Sequence, residues 1–206
     1  MAPCVEIFRA AASDLYLSEG IESIQPVLDI LNKTEGHIAS YTGTEVQDPN
    51  YWWAIIVWET VEHHHALINN TKVYPAFCDS LNKAVANLDF TMLHAVLTPN
   101  DPYPALEAPL TELTMWKLHE GTDRTKFTDI LAPLMTKGIE ELPVQTGGWG
   151  ATIEEPNTFA IILGWENMEV FKGTGVANPW IGEGIVELKT LAELNVRHAV
   201  FQKHAK

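Results

Sequence analysis

The apolar and polar positions follow the same order twice along the chain, which predicts the same order of strands and helices in each region. In the first region an apolar, β-rich segment precedes a helical stripe from Ile21 to Leu31, with apolar residues three and four apart. Two strands around the turn sequence Asp48-Pro49-Asn50 come next. A helix broken near Pro75 and a last strand complete the region. The predicted order is β-α-β-β-α-β, the ferredoxin-like unit.

The second region repeats this order. In the first region the predicted strands are 4–10, 37–46, 51–59 and 89–97, and the predicted helices are 18–32, 60–69 and 74–87. In the second region the predicted strands are 110–119, 147–154, 158–166 and 195–203, with a helix at 124–142 and helical pieces between 168 and 194. The segment between the regions contains four prolines, which predicts a stiff, extended linker.

An internal repeat supports this division. Residues 43–59 align with residues 150–166 without a gap, and six of these 17 positions are identical. Further on, His94-Ala95-Val96 matches His198-Ala199-Val200. The chain therefore reads as two copies of a unit of about a hundred residues. We predict a first half at 1–98, a proline-rich linker at 99–109 and a second half at 110–206. Features that both copies keep are expected to be structural, and features of one copy are candidates for function.

The third strand of the first copy is apolar on both faces. Trp52 and Trp58 point to one side, and Tyr51 and Trp53 point to the other. A sheet that exposes one face to water alternates polar and apolar residues, so both faces are expected to be covered. We therefore predict an α+β fold of two tandem ferredoxin-like halves whose sheets face each other, with the helices outside. This is an internal pseudo-dimeric α+β barrel.

Composition excludes several classes of function. The 206 residues are 46% hydrophobic and 19% charged, and the formal net charge is −14. Such a charge disfavours nucleic acids and anionic membranes. The sequence contains no apolar stretch long enough for a transmembrane helix and no recognisable secretory signal. The only cysteines, Cys4 and Cys78, are expected to be reduced thiols of a cytoplasmic protein.

No cofactor is expected. The sequence contains no phosphate-binding glycine loop, no G-x-S-x-G motif and no zinc-like Cys/His spacing. The run His63-His64-His65 does not predict a metal site, because neighbouring helical residues point about 100° apart and cannot converge on one ion. The expected partner is a small apolar or aromatic molecule, with a homodimer left open.

The segment from Trp58 to Leu67 resembles the antibiotic-biosynthesis-monooxygenase family of the dimeric α+β barrel superfamily. That signature is a strand ending in Trp-Glu-Ser followed by a helix with Glu-x-His-x-Ala. Here Glu62, His64 and Ala66 match the helical part, and Thr60 stands in place of the Ser. The second copy keeps Trp165-Glu166 but has Phe171 in place of the histidine. The resemblance implies a cofactor-independent monooxygenase of aromatic or polyketide-like metabolites. The haem-degrading branch uses an Asn on the first strand, and neither first strand here contains one.

Three residues of the first copy are the candidates for catalysis. His64 matches the family signature and has no counterpart in the second copy, and His94 lies on the last strand. Histidine titrates near neutral pH and suits a general base. Tyr74 is the candidate hydrogen-bond donor. The alternative for His94 and for its counterpart His198 is a structural, hydrogen-bonded core histidine, which their presence in both copies favours.

Aromatic side chains are candidates for substrate binding, since flat rings stack on flat substrates. The candidates, with His198, are Tyr41, Trp53, Trp58, Trp149 and Trp165. The alternative is a plain core, which the shared pair Trp58 and Trp165 favours. Small residues near Trp149 indicate either a ligand cavity or close helix packing, and the sequence leaves both open.

Three functions follow as hypotheses. The first is a cofactor-independent monooxygenase in which a histidine deprotonates a phenolic substrate that then reacts with oxygen. The second is a cyclase or isomerase that omits oxygen, and the third is a non-catalytic barrel that binds a ligand or a protein. Because His64, Tyr74 and His37 have no equivalents in the second copy, we expect the first copy to carry the acid–base residues.

Overall fold

The computed structural model describes residues 3–204. These residues form two compact units, residues 3–96 with 199–204 and residues 97–198. Within the described residues, no helix is both long enough and apolar enough to cross a membrane.

The first unit contains five strands and four helices. The strands are β1 (Cys4–Ala12), β2 (His37–Thr44), β3 (Tyr51–Trp58), β4 (Val85–Ala95) and β9 (Gln202–His204). The helices are α1 (Asp14–Glu19), α2 (Gln25–Leu31), α3 (Val61–Ile68) and α4 (Tyr74–Ala84).

The first sheet has the order β4-β1-β3-β2-β9, in which the first four strands have the ferredoxin-like order. β1 pairs with both β3 and β4 in antiparallel register, so that Glu6 lies opposite His94 on one side and Ile56 on the other. The apolar face of this sheet that carries Phe8, Trp52 and Trp58 packs with α2 and α4 into one core. The opposite face, which includes Ile55 and Val57, is buried as well, as the doubly apolar third strand predicts.

In two regions of the first unit the elements differ from the predicted bounds by more than two residues. The single helix predicted for 18–32 is divided into α1, a 3₁₀ segment Gly20–Ile24 and α2. Gly20 ends α1 with a positive φ of 59°, and Pro26 lies in the first turn of α2, where its missing N–H costs no helical bond. β4 begins at Val85, four residues earlier than predicted, and Asn87 and Leu88 have positive φ where its register with β1 shifts.

The second unit contains four strands and four helices. The strands are β5 (Leu110–Leu118), β6 (Gln145–Ala151), β7 (Thr158–Trp165) and β8 (Ala192–Ala199), and the sheet order is β6-β7-β5-β8. The helices are α5 (Tyr103–Leu106), α6 (Arg124–Glu141), α7 (Met168–Ala177) and α8 (Pro179–Lys189). This order corresponds strand for strand to that of the first sheet.

The segment between the copies differs from the prediction, because it is folded rather than extended. Residues 103–106 form α5, and Thr98 pairs with Trp149 of β6. A Cβ added at Gly147 would lie 2.8 Å from the Cβ of Ala105, and one added at Gly164 would lie 2.6 Å from the Cβ of Ala108. At Gly147 and Gly164 the small residues therefore allow close packing of α5 and of the residues that follow it, which is the second of the two alternatives left open by the sequence.

The chain end also differs from the prediction. The single strand predicted for 195–203 is divided into β8 and β9, and β9 pairs with β2 of the first sheet. Gly43 of β2 permits the segment just before β9 to approach closely, since a Cβ at this position would lie 2.3 Å from the carbonyl oxygen of Val200. The last described residues of the chain therefore complete the first unit.

Candidate functional site

A cluster of three titratable side chains lies buried on the helical side of the first sheet. Glu6 comes from β1, His64 from α3 and His94 from β4. The Nδ1 atom of His64 lies 2.8 Å from Nε2 of His94 and 3.3 Å from Oε2 of Glu6. The Nε2 atom of His94 lies 3.9 Å from the same oxygen. The structure thus brings together the two histidines that the sequence analysis selected, and adds a carboxyl group.

Aromatic rings fix the geometry of this cluster. The indole N–H of Trp58 donates to Oε2 of Glu6 at 2.8 Å, and the Trp58 ring stacks on His64 with an interplanar angle of 6°. Tyr74, at the start of α4, lies within electrostatic reach of Glu6. Burial and a hydrogen bond with Cys78 raise the pKa of Tyr74 to about 12, with a further contribution from the charge of Glu6. Tyr74 is therefore a neutral phenol, as a hydrogen-bond donor must be.

The second half keeps the carboxyl group and the tryptophan of this arrangement but not the histidine pair. The indole N–H of Trp165 donates to Oε2 of Glu112 at 2.8 Å, as Trp58 does to Glu6. Phe171 takes the place of His64 and packs edge-on against His198, with 4.5 Å between ring centroids. The Glu112 carboxyl instead accepts a second hydrogen bond from the Thr114 hydroxyl at 2.6 Å.

Burial shifts the pKa values of Glu112 and His198 in the second half. Desolvation raises the pKa of Glu112, although the hydrogen bonds from Thr114 and Trp165 oppose the shift. Burial, with a contribution from the charge of Lys172, lowers the pKa of His198 to about 4. At neutral pH His198 is therefore uncharged, while Glu112 holds its proton more tightly than an ordinary carboxyl group.

A cavity of about 300 Å³ lies on the helical side of the second sheet. Its walls come from β5, β7 and β8 on one side and from α6, α7 and α8 on the other. Aromatic and aliphatic side chains dominate the lining, and the aromatic ones are Trp116, Trp165, Phe171 and Trp180. The polar side chains of the lining are Glu112, Thr114, Lys172 and Thr174. An apolar space with a few polar groups is the usual form of a small-molecule site.

Most of the other aromatic candidates lie away from both the Glu6–His64–His94 cluster and the cavity. Tyr41 and Trp53 lie on the sheet face opposite His64, where the indole N–H of Trp53 donates to Glu45 at 3.1 Å. Trp149 packs against the core of the second unit, and only Trp165 of the selected tryptophans lines the cavity. His198 contacts the cavity residue Phe171.

Glu6 and Glu112 are not among the site residues predicted from the sequence. Each is the third residue of the first strand of its copy and is buried there, although a strand of this kind has mainly apolar buried positions. A carboxyl group buried in such a strand needs hydrogen-bond donors, and this was the signal that could have identified the pair.

The neighbouring histidines of the run His63-His64-His65 contact different residues. His63 lies near Glu59, whereas His64 contacts His94 and Glu6.

No protein-family model matches the sequence, and no curated protein matches it. Solved structures do resemble the fold. A candidate monooxygenase of Lactobacillus acidophilus NCFM has a TM-score of 0.66 and 17% identity, over 100% of this chain and 97% of its own. A candidate monooxygenase of Fusobacterium nucleatum subsp. nucleatum has a TM-score of 0.72 and 9% identity, over 100% and 95%. An anthrone oxidase-like protein has a TM-score of 0.74 and 9% identity, over 98% and 92%.

At these identities the likeness shows a common fold and no more. The predicted α+β class is confirmed, since the chain consists of two tandem halves whose sheets have the ferredoxin-like strand order.

Proposed function

We propose that the chain is a monooxygenase-type enzyme, related to the antibiotic-biosynthesis-monooxygenase family, that acts on a small aromatic metabolite. The observation that carries the proposal is the apolar cavity of the second half, with the carboxyl group of Glu112 in its wall. The similarity in fold to candidate monooxygenases and to an anthrone oxidase-like protein supports this class of reaction.

The cavity favours a flat, neutral, fused-ring substrate. A volume of about 300 Å³ lies at the lower end of the range for small-molecule sites. The rings of Trp165, Phe171 and Trp180 offer faces and edges for aromatic stacking. The ammonium group of Lys172 adds one positive charge to the wall, which suits a substrate that becomes a phenolate or an enolate during reaction.

Glu112 is the group best placed to remove a proton from such a substrate. Its carboxyl group is held by Trp165 and Thr114, and its raised pKa makes the ionised form a stronger base than an ordinary carboxylate. In the proposed reaction Glu112 takes a proton from an activated ring CH₂ group, and the carbanion gives its electrons to O₂. A C–O bond forms, the O–O bond breaks, and water leaves with the second oxygen atom. The CH₂ group becomes a carbonyl, and the substrate supplies all the electrons, so the reaction requires no cofactor.

The assignment made from the sequence is the competing proposal. It gives the acid–base role to His64 and His94 of the first half, with Tyr74 as hydrogen-bond donor. The contact of 2.8 Å between the two imidazoles favours it, because a hydrogen-bonded histidine pair can accept and pass a proton.

Oxygen uptake with anthrone as substrate tests the proposal and separates the two assignments. The Glu112→Gln variant is expected to lose turnover by about 10²- to 10⁴-fold, the usual contribution of a general base. Its affinity for anthrone should stay within a few-fold of the wild-type value, since glutamine can keep both hydrogen bonds. With ¹⁸O₂, the product should gain one labelled atom.

The other outcomes are equally informative. If His64→Phe removes turnover and Glu112→Gln does not, the first half carries the chemistry. Conversion of an aromatic substrate without oxygen uptake would identify a cyclase or isomerase. A panel of hydroxylated aromatics that neither reacts nor raises the melting temperature would contradict the proposal and favour a non-catalytic protein.

A further inference from the structure

We propose that Glu6, His64 and His94 form a binding site for one divalent first-row transition metal ion in the first half of the chain. The three side chains are the described His, Cys, Asp and Glu residues that the structure groups with metal-ligand spacing. This inference does not depend on the proposed function, since the cavity described above lies in the second half.

The distances between the three donor atoms suit a metal ion. Two ligands that each lie about 2.1 Å from a tetrahedral ion are about 3.4 Å apart. The donor atoms Nδ1 of His64, Nε2 of His94 and Oε2 of Glu6 are separated by 2.8, 3.3 and 3.9 Å, values that bracket this spacing. Small rotations of the two imidazoles would equalise the distances.

The ligand types indicate which ions the site would accept. Two imidazoles and one carboxylate, with positions left for water, form a set typical of Fe²⁺ and also suitable for Zn²⁺ or Co²⁺. The cluster contains no thiolate, which disfavours Cu⁺. A divalent ion would also compensate the charge of Glu6, a carboxylate that is only 6% exposed beside two almost fully buried histidines.

Two aromatic residues outside the cluster, Trp58 and His65, contact the three proposed ligands and fix their positions. The Trp58 indole donates to the Glu6 oxygen that faces the histidines, which is the usual support for a ligating carboxylate. The same indole stacks on His64, and the ring of His65 lies edge-on to His94. The three ligands also come from β1, α3 and β4, so an ion would link the helix to two strands.

The expectation of no metal site rested on the run His63-His64-His65 alone. Within the run itself the histidines do not converge on one point, because His63 lies near Glu59 and not near the cluster. That expectation does not address the cluster proposed here, because Glu6 and His94 reach His64 from strands that are distant in sequence.

The second half provides a natural comparison. It has Glu112 and His198 at the corresponding positions, but Phe171 stands where the third ligand would be. The fold therefore accepts phenylalanine at this place, and His64→Phe should remove one ligand while keeping the packing. His198→Gln is the matched control, since it changes the equivalent histidine of the half that lacks the set.

The test is a titration of chelator-treated full-length protein with Co²⁺ and with Zn²⁺. Visible absorption reports Co²⁺ coordination, and calorimetry gives the Zn²⁺ stoichiometry. We expect one ion per chain for the wild type, the same for His198→Gln and for His63→Gln, and none for His64→Phe. His94→Gln, checked for folding by circular dichroism, is the second loss variant. Bound Zn²⁺ should raise the melting temperature of the wild type but not of His64→Phe.

Two results would overturn the proposal. One is the absence of Co²⁺ and Zn²⁺ binding to well-folded wild-type protein. The other is binding that survives both His64→Phe and His94→Gln, or that is lost in His63→Gln, since the ion would then be held by the exposed part of the histidine run or elsewhere on the surface.

Discussion

The substitution Glu112→Gln should raise the stability of the protein at neutral pH, although it removes a residue of the proposed site. Desolvation raises the pKa of Glu112 in the folded state. Below the pKa of a glutamate in the unfolded chain, about 4.3, Glu112 is protonated in both states and costs the folded protein nothing. As the pH rises through the higher pKa of the folded state, the unfolded chain releases this proton more readily, and the free energy of unfolding falls. Each pKa unit of difference corresponds to about 1.4 kcal/mol of unfolding free energy. Glutamine avoids this loss because it stays neutral at every pH.

The hydrogen bonds of the site allow this substitution. The amide oxygen of a glutamine can accept from the Trp165 indole, and its NH₂ group can donate to the Thr114 hydroxyl once that group rotates. No buried polar atom then loses a partner, so the cost of the exchange itself should stay below about 1 kcal/mol.

The assay is urea unfolding of wild type and Glu112→Gln at pH values from 4 to 8. The variant should gain stability relative to the wild type as the pH rises, and the two curves should meet at the acid end. Glu183→Gln, on an exposed position of α8, controls for the loss of one negative charge. A variant less stable than the wild type at neutral pH, or a difference independent of pH, would refute the reasoning.

Three further predictions concern buried polar groups. Burial lowers the pKa of His198 to about 4, so the unfolded chain binds this proton first as the pH falls and the folded protein loses stability between pH 6.5 and 4. His198→Gln should therefore lose less free energy of unfolding than the wild type over this range, which urea unfolding measures. Trp165→Phe should cost about 1–3 kcal/mol, since it removes a hydrogen bond from buried Glu112; thermal unfolding monitored by circular dichroism measures the cost. Arg9→Met should cost about 1–3 kcal/mol at pH 7, because the buried Glu45 loses its ion pair of 2.8 Å; unchanged stability would show that the pair contributes nothing.

Most of the fold could be predicted because its signals are local or repeated. The doubly apolar strand β3 and the turn before it are visible in the sequence, and the second copy repeats both. The segment 99–109 could not be predicted, since its prolines indicate extension while α5 forms by packing on Gly147 and Gly164. The pairing of β9 with β2 is also a long-range contact, to which the pattern of residues 195–203 gives no clue.

The candidate sites were only partly visible from the sequence. His64 and His94 could be selected because one matches a family signature and the other recurs in both copies. Their contact with each other, and with Glu6, depends on the register of β1 with β4 and on the position of α3. The cavity arises from the volume left between three helices and a sheet, which no residue pattern records.

The central claim is that the cavity of the second half binds a small aromatic molecule. Two glycines of α7 allow a direct test, because a Cβ at either position would meet no atom within 4 Å. Gly175 lines the cavity, whereas Gly173, two residues earlier in the same helix, does not. Leucine at either place should strengthen α7 by about 1 kcal/mol relative to glycine.

The deciding measurement is the dissociation constant of anthrone for wild type, Gly175→Leu and Gly173→Leu, followed by tryptophan fluorescence. We predict binding to the wild type and to Gly173→Leu with the same affinity, and binding at least about tenfold weaker to Gly175→Leu, a difference of about 1.4 kcal/mol. Equal affinities for all three proteins, or no binding to a wild type that is well folded, would contradict the account.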